Sequence, residues 1–299
     1  MPEPLRLLIL GAKGRLGSAL CRVYAGASLQ VTGWGRRELD LTRSDAITAA
    51  LECAEFDVLI NAAGLTNVDA CEELREEAAL SNGVAPGLMA AHCARHGQRM
   101  IHISSDYVFD GQTHTPRKES DPANPCNHYG RTKLEGEQAV LAENPQALVA
   151  RVSWLFGPDK PSFPDMILDA ALQKDEVRAV NDKWSSPSYA DDLADWLLAL
   201  MLDHPQVSGV LHLCNQGAPT WQEYGQTTLD LAGRLGFPLK ARQVTGHSMQ
   251  GFAPFKATRP PYTALDTSLF QSLTGIRPRS WQSALEEYLT AKQKFKAGS

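Results

Sequence analysis

Short apolar runs alternate with longer stretches of helical period through the first half of the chain. Residues 7–10, 29–32, 56–61, 100–104 and 148–152 have the length and apolar content of strands. Between them, 16–24, the segment around 46–51, 78–95 and 129–143 read as helices, and 78–95 carries the period of one amphipathic helix. Such alternation implies right-handed strand–helix–strand units and a parallel sheet covered on both faces. The second half is less regular. Pro158, Pro161 and Pro164 break the chain after Gly157, then come a helix near 166–173, a strand near 177–180, a helix over 191–202 and a late strand at 210–213. From Trp221 onward, helices are separated by Gly and Pro. The expected fold is α/β, a doubly wound parallel sheet with a smaller α/β domain. The sheet domain should span 1–157 with a return near 190–215, leaving most of 158–299 to the smaller domain.

Composition narrows the class without choosing an activity. Of 299 residues, 43% are hydrophobic and 21% charged, with 29 basic against 34 acidic side chains and a net charge of −5. That is an ordinary globular balance with no basic footprint for nucleic acid. None of the six cysteines form a C-x-x-C pair, so reduced thiols are expected. Met1-Pro2-Glu3-Pro4 runs straight into the first strand, and the apolar run 196–202 sits between Asp195 and Asp203. It is far below the roughly 20 residues that cross a bilayer. A cytoplasmic protein without membrane or nucleic-acid partners is expected.

Chemistry enters with Gly11, Gly14 and Gly17, which lie between the first strand and first helix. The first glycine permits a tight turn, the second lets backbone N–H groups approach a pyrophosphate, and the third lets helix and strand pack closely. This makes the sheet Rossmann-type, and Gly11, Lys13, Gly14, Arg15, Leu16 and Gly17 are candidate cofactor contacts. No acidic residue follows the second strand at the usual place, where Arg36 and Arg37 stand instead. Guanidinium groups there suit a ribose 2′-phosphate, favouring NADP(H) over NAD(H), unless both are solvated surface residues. Asp40 and Leu41 are placed near the adenine, and Ala62, Ala63 and Gly64 beside the dinucleotide.

Tyr129 and Lys133, at i and i+4, share a helix face, and Ser104-Ser105-Asp106-Tyr107 ends the fourth strand. Ligands of doubly wound sheets bind beyond the carboxyl ends of strands. A serine, a tyrosine and a lysine converging there would make a carbonyl-reduction site. Tyrosine protonates the oxygen, the ammonium makes its phenolate accessible, and the serine hydroxyl holds the substrate oxygen. Asn82 either completes a water relay behind the lysine or is a helix residue bonded to backbone. His92 and His96 are also spaced i, i+4, but no third metal ligand is evident, so no metal site is assigned.

These motifs resemble an extended short-chain dehydrogenase/reductase, specifically the dTDP-4-dehydrorhamnose reductase family, over residues 7–289. The most specific blocks are Ser105-Asp106-Tyr107-Val108-Phe109-Asp110-Gly111 and Tyr129-Gly130-Arg131-Thr132-Lys133-Leu134-Glu135-Gly136-Glu137. Others are Arg151-Val152-Ser153-Trp154, Asn181-Asp182-Lys183-Trp184 and Arg259-Pro260-Pro261-Tyr262. The resemblance implies NAD(P)H-dependent reduction of a nucleotide-linked 4-keto-6-deoxy sugar, such as dTDP-4-dehydrorhamnose to dTDP-rhamnose. It implies Tyr129 as proton donor, Lys133 as its activator and ribose ligand, and Ser105 as carbonyl partner. Thr66, Val68, Ser105, Asp106, Tyr107 and Trp154 would touch the sugar nucleotide. Ser105 stands where the family usually has threonine, and Arg15 where it usually has glutamine. Some members form Mg-linked dimers, but no ligating carboxylates can be mapped here, and a monomer or homodimer is expected. A dehydratase would need Glu rather than Tyr107 after Asp106. A sugar-nucleotide 4-epimerase and a non-catalytic regulatory subunit like that of methionine adenosyltransferase remain alternatives.

Overall fold

The computed structural model describes residues 4–250 and 255–297. Six parallel strands form the main sheet: β1 (Leu5–Leu10), β2 (Leu29–Trp34), β3 (Val58–Asn61), β4 (Arg99–Ser105), β5 (Leu148–Val152) and, later in the chain, Gly209–Leu213. Their order is β2-β1-β3-β4-β5 followed by that last strand, with Leu148 paired to Gly209 and Val152 to Leu213. The chain reverses its direction of travel across the sheet between β1 and β3. A crevice therefore opens there at the carboxyl edge.

Side-chain alternation explains why both faces are covered. Leu7, Ile9, Ile101, Ile103, Leu148 and Ala150 point to one face, against α1 (Arg15–Tyr24) and the helix Ala190–Leu202. Leu8, Leu10, Leu59, Met100 and Val149 point to the other, against α2 (Ser44–Glu52) and the helix Ala85–His96. The helix His128–Glu143 packs beside Ala85–His96 and adds Val140 to this second core.

One predicted element is interrupted. Where a helix is expected over 78–95 there are a π segment Ala79–Val84 and α5 (Ala85–His96), preceded by the short helices α3 (Val68–Glu73) and α4 (Arg75–Ala78). Pro86 near the start of α5 has no N–H, so the Asn82 carbonyl lacks its usual helical donor. That carbonyl faces α6 (His128–Glu143) at Gly136, where a Cβ would lie 2.1 Å from its oxygen. Proline frees the carbonyl, and glycine gives it room.

After β6 (Leu155–Phe156), helix α7 (Phe163–Gln173) starts with a Ser162/Asp165 capping box. Strands β7 (Val177–Val180) and β8 (Ser188–Tyr189) precede α8 (Ala190–Leu202) and β9 (Gly209–Leu213). Then come α9 (Trp221–Arg234), β10 (Val244–His247), α10 (Ser268–Thr274) and α11 (Trp281–Ala297). β10 pairs with β7 in parallel, and β6 with β8. Phe156, Tyr189, Tyr224, Trp281 and Tyr288 form an aromatic core between α7, α9 and α11, separate from the sheet cores. Arg22 on α1 reaches Asp159 at 2.9 Å and Asp191 at 2.5 Å, tying the loop after β6 to the sheet helices. Among the described residues, no helix is long and apolar enough to cross a membrane.

Candidate active site

The turn after β1 is built around contacts that exclude side chains. Gly11 has φ +77°, and a Cβ there would lie 2.7 Å from the Ala62 carbonyl oxygen. At Gly17 a Cβ would come within 2.1 Å of the Gly11 carbonyl oxygen, so this glycine serves helix–strand packing. Gly14 is the N-cap of α1, without a side-chain cap and with no acidic residue in the first helical turn. The positive end of the helix dipole is thus open to an anion.

Beyond this turn lies a cavity of about 700 Å³ along the carboxyl edge of the sheet. Gly11, Lys13, Gly14, Arg15, Leu16, Arg36, Asp40, Leu41, Ala62, Ala63 and Gly64 line one part of it. Thr66, Val68, Ser105, Asp106, Tyr107, Tyr129, Lys133 and Trp154 line the rest. A dinucleotide needs a glycine cradle that a Cβ would fill and an uncapped helix end, and both are present.

Three expected contacts lie outside its walls. Gly17 is buried behind Gly11. Arg37 is exposed and absent from the lining, whereas Arg36, itself largely exposed, lines the cavity. Asn82 is also absent, and its carboxamide is already satisfied. Its oxygen accepts from the Leu65 N–H at 2.9 Å, while its nitrogen donates to the Leu65 carbonyl at 3.0 Å and Thr132 Oγ1 at 3.2 Å. It is thus bonded to backbone and clamps the loop after β3 onto α6. Arg15 lines the cavity, yet its guanidinium donates to the Pro161 carbonyl at 2.5 Å, and burial lowers its pKa. Arg36 pairs with Asp40 at 3.3 Å and lies 3.7 Å from Glu77.

Tyr129 sits in the first turn of α6, whose N-cap Asn127 accepts from the Gly130 N–H at 2.8 Å. Gly130 lets this turn press onto the segment after β4, since a Cβ would lie 2.1 Å from the Tyr107 carbonyl oxygen. The phenol is buried, and desolvation raises its pKa, against which the hydrogen bond with Ser105 works. It is therefore fully protonated at neutral pH. Ser105 Oγ also accepts from the Tyr107 N–H at 3.2 Å and donates to Asp106 at 3.1 Å. Lys133, one turn beyond Tyr129, is buried; desolvation lowers its pKa to about 8 against the favourable field of Glu137. Its ammonium donates to the Ile103 carbonyl at 2.7 Å and lies 3.5 Å from His102 Nε2.

Around this centre, Lys183, Lys160 and Glu77 carry no role in the sequence reading, whereas Asp106 and Trp154 are expected there. Asp106 is fully enclosed, accepting from Ser105 and from Ser153 at 2.8 Å, and burial raises its pKa despite the opposing field of Lys183. Lys183 donates to the Pro260 carbonyl at 2.6 Å, and its ammonium lies 5.0 Å from the Tyr107 ring centre. Burial lowers its pKa to about 8. Its only sequence signal was membership of the 181–184 block. Lys160, in the proline-rich break, and Glu77 also line the cavity. Trp154 has φ +41°, unlike any other non-glycine among the described residues, and is wedged against Phe163 at 4.9 Å and Trp221 at 5.2 Å. Such a backbone strain of about 1–3 kcal/mol at a cavity wall fits a ligand contact. Trp196 and Trp281 are buried in the cores, whereas Trp184 lines a second, shallower concavity with His114 and Arg259.

A crevice at the strand-order reversal, a phosphate-accepting turn and a buried Ser–Tyr–Lys centre define an α/β oxidoreductase of the short-chain dehydrogenase/reductase type. The RmlD substrate binding domain family matches residues 5–294. A Streptomyces antibioticus protein named "Probable dTDP-4,6-dihydroxy-2-methyloxan-3-one 4-ketoreductase" is 38% identical over 285 residues, covering 95% of this chain and 94% of that protein. The crystal structure of a Clostridium acetobutylicum dTDP-4-dehydrorhamnose reductase matches with TM-score 0.90 at 32% identity, covering 97% of this chain and all of that one. The Bacillus anthracis dTDP-4-dehydrorhamnose reductase in complex with NADP matches with TM-score 0.88 at 26% identity, over 96% of this chain and 99% of the other. The chain belongs to the dTDP-4-dehydrorhamnose reductase family.

Proposed function

We propose that the protein reduces the C4 carbonyl of a nucleotide-linked 4-keto-6-deoxy sugar, with dTDP-4-dehydrorhamnose as substrate and dTDP-rhamnose as product. The observation that carries this is the meeting of Ser105, Tyr129 and Lys133 on the cavity wall that continues from the glycine turn. Gly11, Lys13, Gly14, Leu16 and the α1 N-terminus would hold the dinucleotide phosphates, and Ala62, Ala63 and Gly64 would line its path. When bound, the nicotinamide supplies a hydride to the carbonyl carbon.

The chain's own residues manage the oxygen. Ser105 Oγ, positioned by accepting from the Tyr107 N–H, would turn its one O–H from Asp106 to the carbonyl oxygen and hold it beside the phenol. Tyr129 starts protonated, as a donor must, and gives its proton to the developing alkoxide. The phenolate that remains is offset by the Lys133 ammonium, which is charged at neutral pH because its pKa is about 8. Arg36 at the cavity mouth, with Lys13, favours NADP(H) over NAD(H) through the 2′-phosphate. Residues 1–157 with the return at 190–215 would bind the cofactor, and the 158–299 half would close over the sugar nucleotide, bringing Lys160 to it across from Trp154. The protein is proposed to work in the cytoplasm, as a monomer or homodimer.

The test follows NADPH absorbance with dTDP-4-dehydrorhamnose generated in situ. Consumption dependent on the sugar nucleotide supports the assignment; its absence with either NADPH or NADH contradicts it.

A further inference from the structure

His92 and His96 lack a third ligand in the sequence, but the fold supplies one. Glu52, the last residue of α2, is carried by helix packing onto the C-terminal turn of α5. Ligand atoms of Glu52, His92 and His96 all lie within 4.8 Å of one another, the only such group among the described residues. Glu52 Oε1 is 3.3 Å from His96 Nε2 and 3.5 Å from His92 Nδ1. Ligands bonded at about 2.0–2.1 Å to one tetrahedral ion are separated by roughly 3.3 Å. The two imidazoles stack with centroids 4.4 Å apart, as i, i+4 side chains on one helix face can.

The decisive atom is His92 Nδ1. The His92 side chain is only 2% exposed, and this nitrogen, 3.5 Å from Glu52 Oε1, makes no hydrogen bond of good geometry. A simple His96–Glu52 surface pair would leave it an uncompensated buried polar atom. We propose that Glu52, His92 and His96 form a binding site for a divalent borderline cation of the zinc class, with water completing a tetrahedron. Two imidazoles and one carboxylate favour such an ion over Mg²⁺, which takes an all-oxygen shell. Arg95 Nη2 lies 3.7 Å from the same Glu52 oxygen, but its side chain is 58% exposed and free to swing into solvent.

The location sets the consequence. Glu52 precedes β3 and His96 precedes β4, so the site is at the amino edge of the sheet, opposite the reductase cavity. The cation would pin the end of α2 to α5 and stabilise the fold without taking part in turnover.

Untagged, full-length protein freed of metal with EDTA is titrated with ZnCl₂ and CoCl₂ by calorimetry and absorbance. One equivalent should bind, Co²⁺ should give tetrahedral d–d bands without a thiolate charge-transfer band, and the melting temperature should rise. Glu52→Gln and His96→Ala, both at the surface, should each weaken binding by at least about tenfold. Both should leave NADPH-dependent turnover unchanged. His92 packs on Phe56 with ring centroids 6.0 Å apart, so its replacement risks the fold and is not needed for the test. Absence of stoichiometric binding overturns the site. So does wild-type affinity in either variant, or a thiolate band implicating nearby Cys53.

Discussion

Replacing Lys133 with methionine separates the functional worth of the ammonium from its effect on stability. The side chain is buried, and its pKa falls from the ordinary 10.5 to about 8, chiefly through desolvation. That difference corresponds to about 3 kcal/mol against the charged folded state at pH 7. Between these two values the unfolded chain binds the extra proton. The penalty is therefore complete below about pH 8 and fades as pH rises through 10.5. Lys133→Met removes this penalty but leaves the Ile103 carbonyl without its 2.7 Å donor, at a pH-independent cost of about 1–3 kcal/mol. The variant should match or slightly exceed wild-type stability at pH 7. Relative to wild type it should lose about 3 kcal/mol, or roughly 5 °C in melting temperature, between pH 7 and 10.5. Turnover should fall by about 10²–10⁴ below about pH 8, where the wild-type lysine is charged, and by less as pH rises beyond it. Paired urea or thermal unfolding at several pH values measures this. A stability difference that does not change with pH would refute the claim that the ammonium is held at a desolvation cost.

Other perturbations probe the remaining parts. Arg36→Ala should raise the KM for NADPH about tenfold or more and change that for NADH little, whereas Arg37→Ala should spare both because Arg37 is off the cavity. Equal losses with the two cofactors in steady-state kinetics would remove the 2′-phosphate argument. Gly136→Ala drives a methyl group to 2.1 Å from the Asn82 carbonyl oxygen. It should cost about 1–3 kcal/mol in urea unfolding as α6 and the π segment separate, and an unchanged midpoint would contradict that packing.

The sheet was readable because both of its faces are apolar and each strand is a short continuous run, as at residues 7–10 and 148–152. Helix interruption at residues 79–84 was not readable from period alone. Pro86 marks where a donor is missing, but a π segment also needs Gly136 to make room, 50 residues further on. The glycine turn and the Ser105/Tyr129/Lys133 centre were legible because their chemistry constrains local spacing. Partners supplied by distant segments were not. Glu52 reaches His92 and His96 only through helix packing, and Lys183 meets Asp106 only when the second half folds against the first. Arg36 and Arg37 are equivalent on paper, and only the fold separates them.

Proton donation by Tyr129 to the C4 alkoxide is tested most directly in a single turnover with deuterated cofactor. NADPD carrying the transferable deuterium is mixed with dTDP-4-dehydrorhamnose, and product is followed by quench and NMR for wild type and Tyr129→Phe. Deuterium should appear at C4 of the sugar, and the variant should react about 10²–10⁴ times more slowly while still binding both ligands. Label at another carbon, or a loss smaller than about tenfold, would contradict the role given to this tyrosine.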